Sequence, residues 1–243
     1  MKVAVVTPYY KEPLKQLRQC ITSVREQTYP CTHILVADGH PNSGIKITRE
    51  MQQVILPRSN GDVGNTPRGI GGLLADSWGF DAVAFLDADN WLEPNHIELM
   101  IRAHRKTARP LVACKRRFVT LEGAPMEYTE YPESQSMHVD TNCWLITRPA
   151  FSFFSAWFMP KELALFGDRV FLQKVVSCGN PVCYTDYRTV AYRTAFAIHY
   201  LEAGLTPPPG CKAVFDYSIA REYLSNPANH PELMNRLGFI PAV

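Results

Sequence analysis

Two aspartates separated by one residue follow an apolar run near the middle of the chain. They are Asp87 and Asp89 in the stretch AVAFLDADNW, residues 82 to 91. Carboxylates this close repel each other, so either a positive partner lies between them or they form the polar rim of an ordinary loop. Oxygen ligands suit Mg²⁺ or Mn²⁺, which usually keep water molecules and share the phosphate oxygens of a substrate. The spacing leaves both interpretations open, and the position after an apolar strand favours the metal.

Other polar side chains are candidates for binding a nucleotide, and each has a plainer alternative. Asp38 also ends an apolar run, where it could accept an N–H of a base or cap the nearby turn. Arg68 could hold phosphate in a bidentate manner or lie at the surface. Tyr9 and Tyr10 could stack on a base or simply pack. His199 could complete a metal shell and favour Mn²⁺, although a lone histidine is more often structural.

The first 115 residues alternate between apolar strands and amphipathic helices. Thr66 is expected to cap the second helix, with Pro67 at its first position. Nearly continuous apolar strands indicate a parallel sheet covered on both faces, which is typical of an α/β fold. The expected strands are residues 2–7, 33–38, 52–57, 82–87 and 110–115, and the expected helices are 12–28, 66–80 and 94–109.

The ends of these strands carry the candidate residues. In sheets of this kind, ligands bind beyond the carboxyl ends of the strands. The segment Thr7 to Tyr10, Asp38 and the pair Asp87 and Asp89 all follow such ends. Three strands therefore deliver polar groups to one edge of the predicted sheet.

The second half of the chain is less regular. A strand is expected within 138–151, a helix over 167–179, and two short strands in PVCYTD and TVAYRT. The segment from Leu205 to Lys212 is rich in proline and is expected to be a loop that could close over a bound nucleotide. An aromatic run is expected to belong to the core, with an acceptor platform as the alternative. Its members are Trp144, Phe151, Phe153, Phe154, Trp157 and Phe158.

Composition excludes several classes of protein. With 25 basic and 23 acidic residues in 243, no overall field for capturing nucleic acid is expected. The local cluster Lys115–Arg117 is either a solvated strand end or an anion site. No apolar run reaches the length of a membrane helix. Seven scattered cysteines favour a reducing, cytoplasmic compartment, with a peripheral position at the inner membrane face as the variant for a lipid-linked acceptor.

Five stretches occur in an order and spacing that one family shares. They are VVTPYYKE, HILVADG, NTPRGIGGLLADSWGFDAVAFLDADNWLEP, VDTNCWLITRPAF and LFGDRVFLQKV. Together they resemble the motifs of a family 2 glycosyltransferase with the GT-A fold, a Rossmann-like α/β fold with a mainly parallel central sheet. Lys11 stands where that family usually has asparagine, and Gly167 replaces the glutamate that usually precedes the base. Arg169 and Val170 also depart from the usual residues.

The resemblance implies a domain organisation and a reaction. Residues 1–200 would form the GT-A domain, with a nucleotide-binding half (1–115), an acceptor-binding half (116–200) and a C-terminal extension (201–243). The implied reaction moves a sugar from a nucleotide-diphosphate sugar, most often a UDP-sugar, to a hydroxyl group with inversion at the anomeric carbon. The acceptor would be a glycan, a lipid-linked molecule or a protein.

The resemblance also implies roles for individual residues. Asp168 would be the catalytic base, with Asp186 and Asp140 as rivals. Mn²⁺ or Mg²⁺ would be bound by Asp89 and His199. The nucleotide-sugar would be held by Pro8, Tyr10, Glu12, Asp38, Arg68 and Asp87.

Three other functions remain open from the sequence. A haloacid-dehalogenase-type phosphatase also uses Asp-x-Asp, but on its first strand and followed by threonine or valine, whereas Asn90 follows here. A sugar nucleotidyltransferase would have a glycine-rich loop after the first strand, and TPYYKEPL has none. A non-catalytic module that binds nucleotide sugars or carbohydrates is the alternative from a different class.

Overall fold

A computed structural model describes residues 1–128, 138–179, 181–213 and 216–242. Its eight strands form one sheet with the order β3-β2-β1-β4-β7-β6-β8-β5. The strands are β1 (Val3–Tyr9), β2 (Cys31–Ala37), β3 (Met51–Ile55), β4 (Ala82–Phe85), β5 (Trp91–Leu92), β6 (Leu111–Val119), β7 (Trp144–Thr147) and β8 (Val182–Arg193). The α-helices are α1 (Leu14–Arg25), α2 (Asn65–Ser77), α3 (His96–Thr107), α4 (Gly167–Ser177), α5 (Ala197–Glu202), α6 (Ser218–Ser225) and α7 (His230–Leu237).

The expected parallel arrangement is confirmed for the first half of the chain. Strands β3, β2, β1 and β4 are parallel neighbours, so their carboxyl ends lie at the same edge. Strand β7 runs antiparallel between β4 and β6, and β5 runs antiparallel to β8. Every residue of β1 and β4 is buried, as expected for strands that are covered on both faces. The mixed α/β sheet flanked by helices matches the predicted fold class.

The glycines of α2 allow this helix to pack closely on the sheet. A Cβ atom added at Gly71 would lie 2.3 Å from Cγ1 of Val6 in β1, which is too close for any side chain. Gly71 is therefore needed for the contact between α2 and β1, and Gly69 and Gly72 make room in the same way for Phe158 and Phe154. This contact fixes the start of α2, and with it Arg68, beside the ends of the parallel strands.

Three local predictions are wrong. Thr66 is not the N-cap, because α2 begins at Asn65 after Gly64, and Asp62 accepts a hydrogen bond of 2.8 Å from the Thr66 N–H. The two short strands predicted in PVCYTD and TVAYRT form one continuous strand, β8. Helical spacing over 94–109 also predicts that His104 points inward with Ile97, Met100 and Ile101, but its Nδ1 is 2.8 Å from the Arg109 carbonyl oxygen at the end of α3.

The aromatic run lies in the core. Trp144, Phe154 and Trp157 are fully buried, and the Trp157 ring stacks on Phe171 at a centroid distance of 4.9 Å. Most of the run forms a 3₁₀ segment, Arg148–Phe158, which packs against α2 and α4. Large ring areas thus hold the second half of the chain against α2, rather than forming an exposed platform.

Two further observations concern the whole described chain. None of its helices is both long enough and apolar enough to cross a membrane. All seven cysteines are free thiols.

Candidate active site

A cavity of about 320 Å³ opens near the carboxyl ends of the parallel strands. Residues from both halves of the chain line it, so the single sheet brings together side chains that are far apart in sequence. Its ionisable lining residues are Arg68, Asp87, Arg116, His138, Asp140, Asp168, Arg169, Tyr192, His199 and Lys212.

Asp87 is held on both carboxylate oxygens. Its Oδ1 accepts a 2.6 Å hydrogen bond from Nη2 of Arg68, and its Oδ2 accepts one of 2.9 Å from Nδ2 of Asn142. The backbone N–H of Asp87 also donates to Oδ1 of Asn142. Arg68 is itself only 4% exposed, and Asn65 accepts a second hydrogen bond from its guanidinium group. A buried arginine thus offsets the negative charge of Asp87. The alternative in which Arg68 lies at the surface is wrong.

Asp89 has no such cationic partner at its carboxylate among the described residues. Burial, and then the negative charges of Asp87 and Glu12, raise the pKa of Asp89 to about 7. Its backbone is held firmly, because the carbonyl oxygen of Asp89 accepts a 2.9 Å hydrogen bond from Nε of Arg193. The N–H of Arg193 donates to Oδ1 of Asn90 at 2.7 Å. A fixed, crowded carboxylate with negative neighbours would be stabilised by a cation.

The residues expected to hold the base and ribose lie at the neighbouring strand ends. Asp38 accepts hydrogen bonds from Oγ of Ser59 (2.9 Å) and from Nδ2 of Asn60 (2.7 Å), so it caps the following turn in this structure. Pro8 lies within β1, and Tyr10 is 40% exposed just after it. Tyr10 packs edge-on against His40, and its N–H donates to Oε2 of Glu12 at 2.7 Å.

Asp168 lies in the first turn of α4 and is bonded to a histidine. Its Oδ2 is 2.6 Å from Nε2 of His138, and its Oδ1 accepts a 2.7 Å hydrogen bond from the N–H of Arg169. Burial by itself would raise the pKa of Asp168, but His138, the Arg169 N–H and the charge of Arg116 outweigh it and hold the pKa below its usual range. Asp168 is therefore ionised at neutral pH.

The two rival aspartates differ in position. Asp140 lines the same cavity, but its Oδ2 pairs with Arg116 at 2.6 Å and its Oδ1 accepts two hydrogen bonds from Asn142. Asp186 does not line the cavity; it is exposed and pairs with Lys115 at 2.6 Å. In the basic cluster, Arg116 lines the cavity and Lys115 pairs at the surface, and anion binding there stays a prediction.

Gly167 has a steric reason to be glycine. A Cβ atom at this position would lie 2.6 Å from Oδ1 of Asn65. That oxygen accepts the hydrogen bond from Arg68, and Nδ2 of Asn65 donates to the carbonyl oxygen of Ala164 at 3.0 Å. A larger residue than glycine at position 167 would displace Asn65, which holds Arg68 beside Asp87. This contact accounts for glycine in place of the glutamate of the family motif.

His199 lies in an aromatic setting at the cavity wall. Its Nδ1 is 2.6 Å from Oγ1 of Thr194, and its ring packs edge-on against Phe118. Burial, and then the charge of Arg116, lower the pKa of His199 to about 4, so the imidazole is neutral. A neutral imidazole is the form that binds metals, and the role of His199 stays a prediction.

The donor set can be tested against a divalent cation. Over the described ranges, no three histidine, cysteine or carboxylate side chains converge into a ready-made metal site. A cation that keeps water and shares substrate phosphates needs only one or two carboxylates from the protein. Asp89, with its raised pKa and negative neighbours, fits that requirement, and Asp87 is already bonded on both oxygens.

Three residues of the site were missed by sequence reasoning: His138, Asn142 and Arg193. Asn142 has a local signal, because VDTNCW belongs to one of the quoted stretches. His138 and Arg193 act through contacts with Asp168 and Asp89 that are 30 and 104 residues apart in sequence. No short-range pattern reports such contacts.

Comparisons with known proteins agree with the predicted family and fold. The model of the family described as glycosyl transferase family 2 matches residues 4–166. The chain is 35% identical, over 104 residues, to the succinoglycan biosynthesis protein ExoW of Rhizobium meliloti (strain 1021). That match covers 40% of this chain and 32% of ExoW, so the chain aligns with about a third of the length of that relative.

Solved structures of S. aureus TarS have a similar fold. The complex of TarS 1–349 with UDP has a TM-score of 0.62 at 14% identity, covering 98% of this chain and 79% of that chain. The complex of the same fragment with UDP-GlcNAc has a TM-score of 0.61 at 14% identity, covering 98% and 80%. At this identity the likeness shows the GT-A fold alone.

Proposed function

The chain belongs to glycosyl transferase family 2, and we propose that it transfers a sugar from a UDP-sugar to an acceptor hydroxyl by a single inverting displacement. One observation carries this proposal. The Arg68–Asp87 pair at the end of β4 and the Asp168–His138 pair at the start of α4 line one cavity. A diphosphate-binding group and a proton-accepting group in one cavity are what a direct displacement requires.

The donor would lie along the ends of the parallel strands. Asp38, Glu12 and the backbone near Pro8 would hold the base and ribose, and Tyr10 is exposed enough to stack on the base. Arg68 would face the diphosphate, since its side chain lines the cavity beside Asp87. TarS has been solved with UDP and with UDP-GlcNAc, which supports a uridine donor for this chain as well.

We assign Mn²⁺ or Mg²⁺ to Asp89, with Asp87 in an outer role and His199 as a candidate further ligand. A bound divalent cation supplies charge to stabilise a departing diphosphate. In the protein itself, Arg193 and Asn90 fix the backbone around Asp89, so that its carboxylate is already positioned. Arg68 adds a fixed positive charge beside Asp87 at the same strand end.

The proton of the acceptor hydroxyl would be removed at the start of α4. The family resemblance assigns the base to Asp168, which is ionised and hydrogen-bonded to His138. Single displacement requires one base and no covalent sugar intermediate. A glycan, a lipid-linked molecule or a protein could supply the hydroxyl, and the cytoplasmic location stays a prediction.

A simple assay separates the candidate functions. The protein is incubated with Mn²⁺ and with UDP-GlcNAc, UDP-glucose or UDP-galactose, and free UDP is measured over time. Slow release of UDP from one of them, through transfer to water, supports a transferase. Binding of UDP without any release supports a non-catalytic module. Release of phosphate from simple phosphate esters would instead support a phosphatase.

A further inference from the structure

The hydrogen bond between Asp168 and His138 fixes which ring nitrogen carries a proton. An ionised carboxylate can only accept hydrogen bonds, so Nε2 of His138, 2.6 Å from Oδ2 of Asp168, must be the donor. In a neutral imidazole the other nitrogen is then an acceptor with a free lone pair. The lone pair of His138 is therefore on Nδ1.

This second nitrogen is open to the cavity. His138 lines the cavity, and its side chain is 19% exposed. Within the described part of the chain, Nδ1 has no hydrogen-bond partner. It is also not a buried atom, so a ligand can reach it. An accessible lone pair at the wall of the proposed transfer site is available to a substrate hydroxyl.

The two oxygens of Asp168 are less suited to take a proton. Both already accept hydrogen bonds, from the Arg169 N–H and from His138. Hydrogen bonds to the ionised form, together with nearby positive charge, hold the pKa of this carboxyl below its usual range. Imidazole is the side chain that most often takes up a proton in enzymes.

We propose that His138 is a further catalytic residue, whose Nδ1 takes the proton of the acceptor hydroxyl, while Asp168 positions the ring and stabilises its positive charge. The proposal rests on the proposed transfer reaction and changes the role that the family resemblance gives to Asp168. The arrangement follows the logic of carboxylate–histidine pairs, in which the carboxylate holds the tautomer and is not itself protonated.

Each bond in the step is accounted for. The acceptor oxygen forms a bond to the anomeric carbon, and the bond from that carbon to the diphosphate oxygen breaks with its electron pair. The acceptor O–H bond breaks, and its proton moves to Nδ1 of His138. The imidazolium ion that results is paired with ionised Asp168, and it later loses the proton to water.

Other charges face this pair and affect its titration. Arg116 from β6 and Arg169 from α4 line the cavity beside it, as do Asp140 and His199. Arg116 is paired with Asp140 at 2.6 Å, so these two charges largely offset each other. Asp89 could also impose an acid limb near neutral pH, so activity must be measured at saturating Mn²⁺ and compared between variants.

The test uses the UDP-sugar, among UDP-GlcNAc, UDP-glucose and UDP-galactose, from which the wild type releases UDP fastest. We expect His138→Gln to lower kcat/KM by about 10²–10⁴-fold and to remove the acid limb of the pH profile that proton transfer to His138 would produce. UDP affinity, measured by calorimetry, should stay within about threefold because the change removes only proton transfer. Added imidazole should restore part of the activity of His138→Ala.

Two controls make the outcomes distinct. His104→Gln makes the same chemical change on α3, outside the cavity lining, and should leave the pH profile unchanged. Activity of His138→Gln within about threefold of wild type, or an acid limb that stays in place, would overturn the role of His138 alone. If the wild type releases no UDP from any of the three donors, the proposed function fails, and the role of His138 fails with it.

Discussion

Asp89, after β4, and Asp168, at the start of α4, are both largely buried carboxylates, yet their pKa values move in opposite directions. Asp89 has Asp87 and Glu12 as negative neighbours, and its pKa is raised to about 7. Asp168 has His138 and a backbone N–H as partners, and its pKa is lowered. Burial raises the pKa of both carboxyls, so their opposite shifts come from the different neighbours. The first would be stabilised by a cation, and the second stays ionised beside an imidazole.

Removing the charge of Asp89 should have the largest effect. We expect Asp89→Asn to lower the rate of UDP release by roughly 10²–10³-fold, because a charge that stabilises the leaving group loses its anchor. The free energy of unfolding should not fall, since the variant removes a repulsion with Asp87 and Glu12. UDP release with saturating Mn²⁺ and urea unfolding are the two measurements.

A matched control for this change lies on the surface of α2. Asp76→Asn removes an exposed carboxylate that pairs with Arg148 at 3.0 Å, and its rate should equal that of the wild type. Full activity of Asp89→Asn would show that the metal is held elsewhere, and the contrast between the two buried carboxylates would lose its functional meaning.

Asn142 bridges Asp87, which is close to Asp89, and Asp140, which lines the cavity with Asp168. Its removal should have the next largest effect. Its amide group binds both Asp87 and Asp140, so Asn142→Ala leaves Oδ2 of Asp87 without its partner and Oδ1 of Asp140 with only the backbone N–H of residue 142. We expect a loss of about 1–3 kcal/mol in the free energy of unfolding and a slower release of UDP by about tenfold or more. Asn142→Asp should be worse than alanine, because it places a third carboxylate between the two.

Gly167→Ala should have a smaller effect, mainly on the binding of the donor. The added methyl group would press on the Asn65 side chain that holds Arg68, so the KM for the UDP-sugar should rise more than kcat falls. A cost of about 1–3 kcal/mol in stability is expected from the overlap. In the double variant Gly167→Ala/Asn65→Ala, the overlap is removed, and the added cost of the Gly167 change should disappear. An additive cost would show that the glycine serves another purpose.

The pKa of His33 is shifted by burial without a charged neighbour. Its substitution should have the smallest effect. Burial lowers the pKa of His33 to about 3, whereas the unfolded chain protonates this group below about 6.5. The unfolded state therefore binds the extra proton, and stability falls as the pH drops from about 6.5 towards 3. The group should make the protein about 2 kcal/mol less stable at pH 5 than at pH 7. In His33→Gln, urea unfolding at the two pH values should show a difference smaller by that amount; an unchanged difference would contradict the prediction.

The nucleotide-binding half was largely predictable from its sequence, and the second half much less so. Buried parallel strands are continuous apolar runs, so the strand ends that carry Asp38 and Asp87 could be found without the structure. The N-cap of α2 was misplaced, because Asp62 bonds to the Thr66 N–H from outside the helix. His138 and Arg193 were missed, because their roles depend on partners brought close only by the folded sheet.

The most direct test of the transfer site compares UDP binding and UDP release in Asp168→Asn. If Asp168 serves proton removal, this variant should bind UDP with Mn²⁺ as tightly as the wild type but release UDP at least about 10²-fold more slowly. Asp186→Asn, which changes an exposed aspartate outside the cavity, should match the wild type in both. Asp168→Asn with near-normal release of UDP, or Asp186→Asn with none, would contradict the assignment of this cavity as the transfer site.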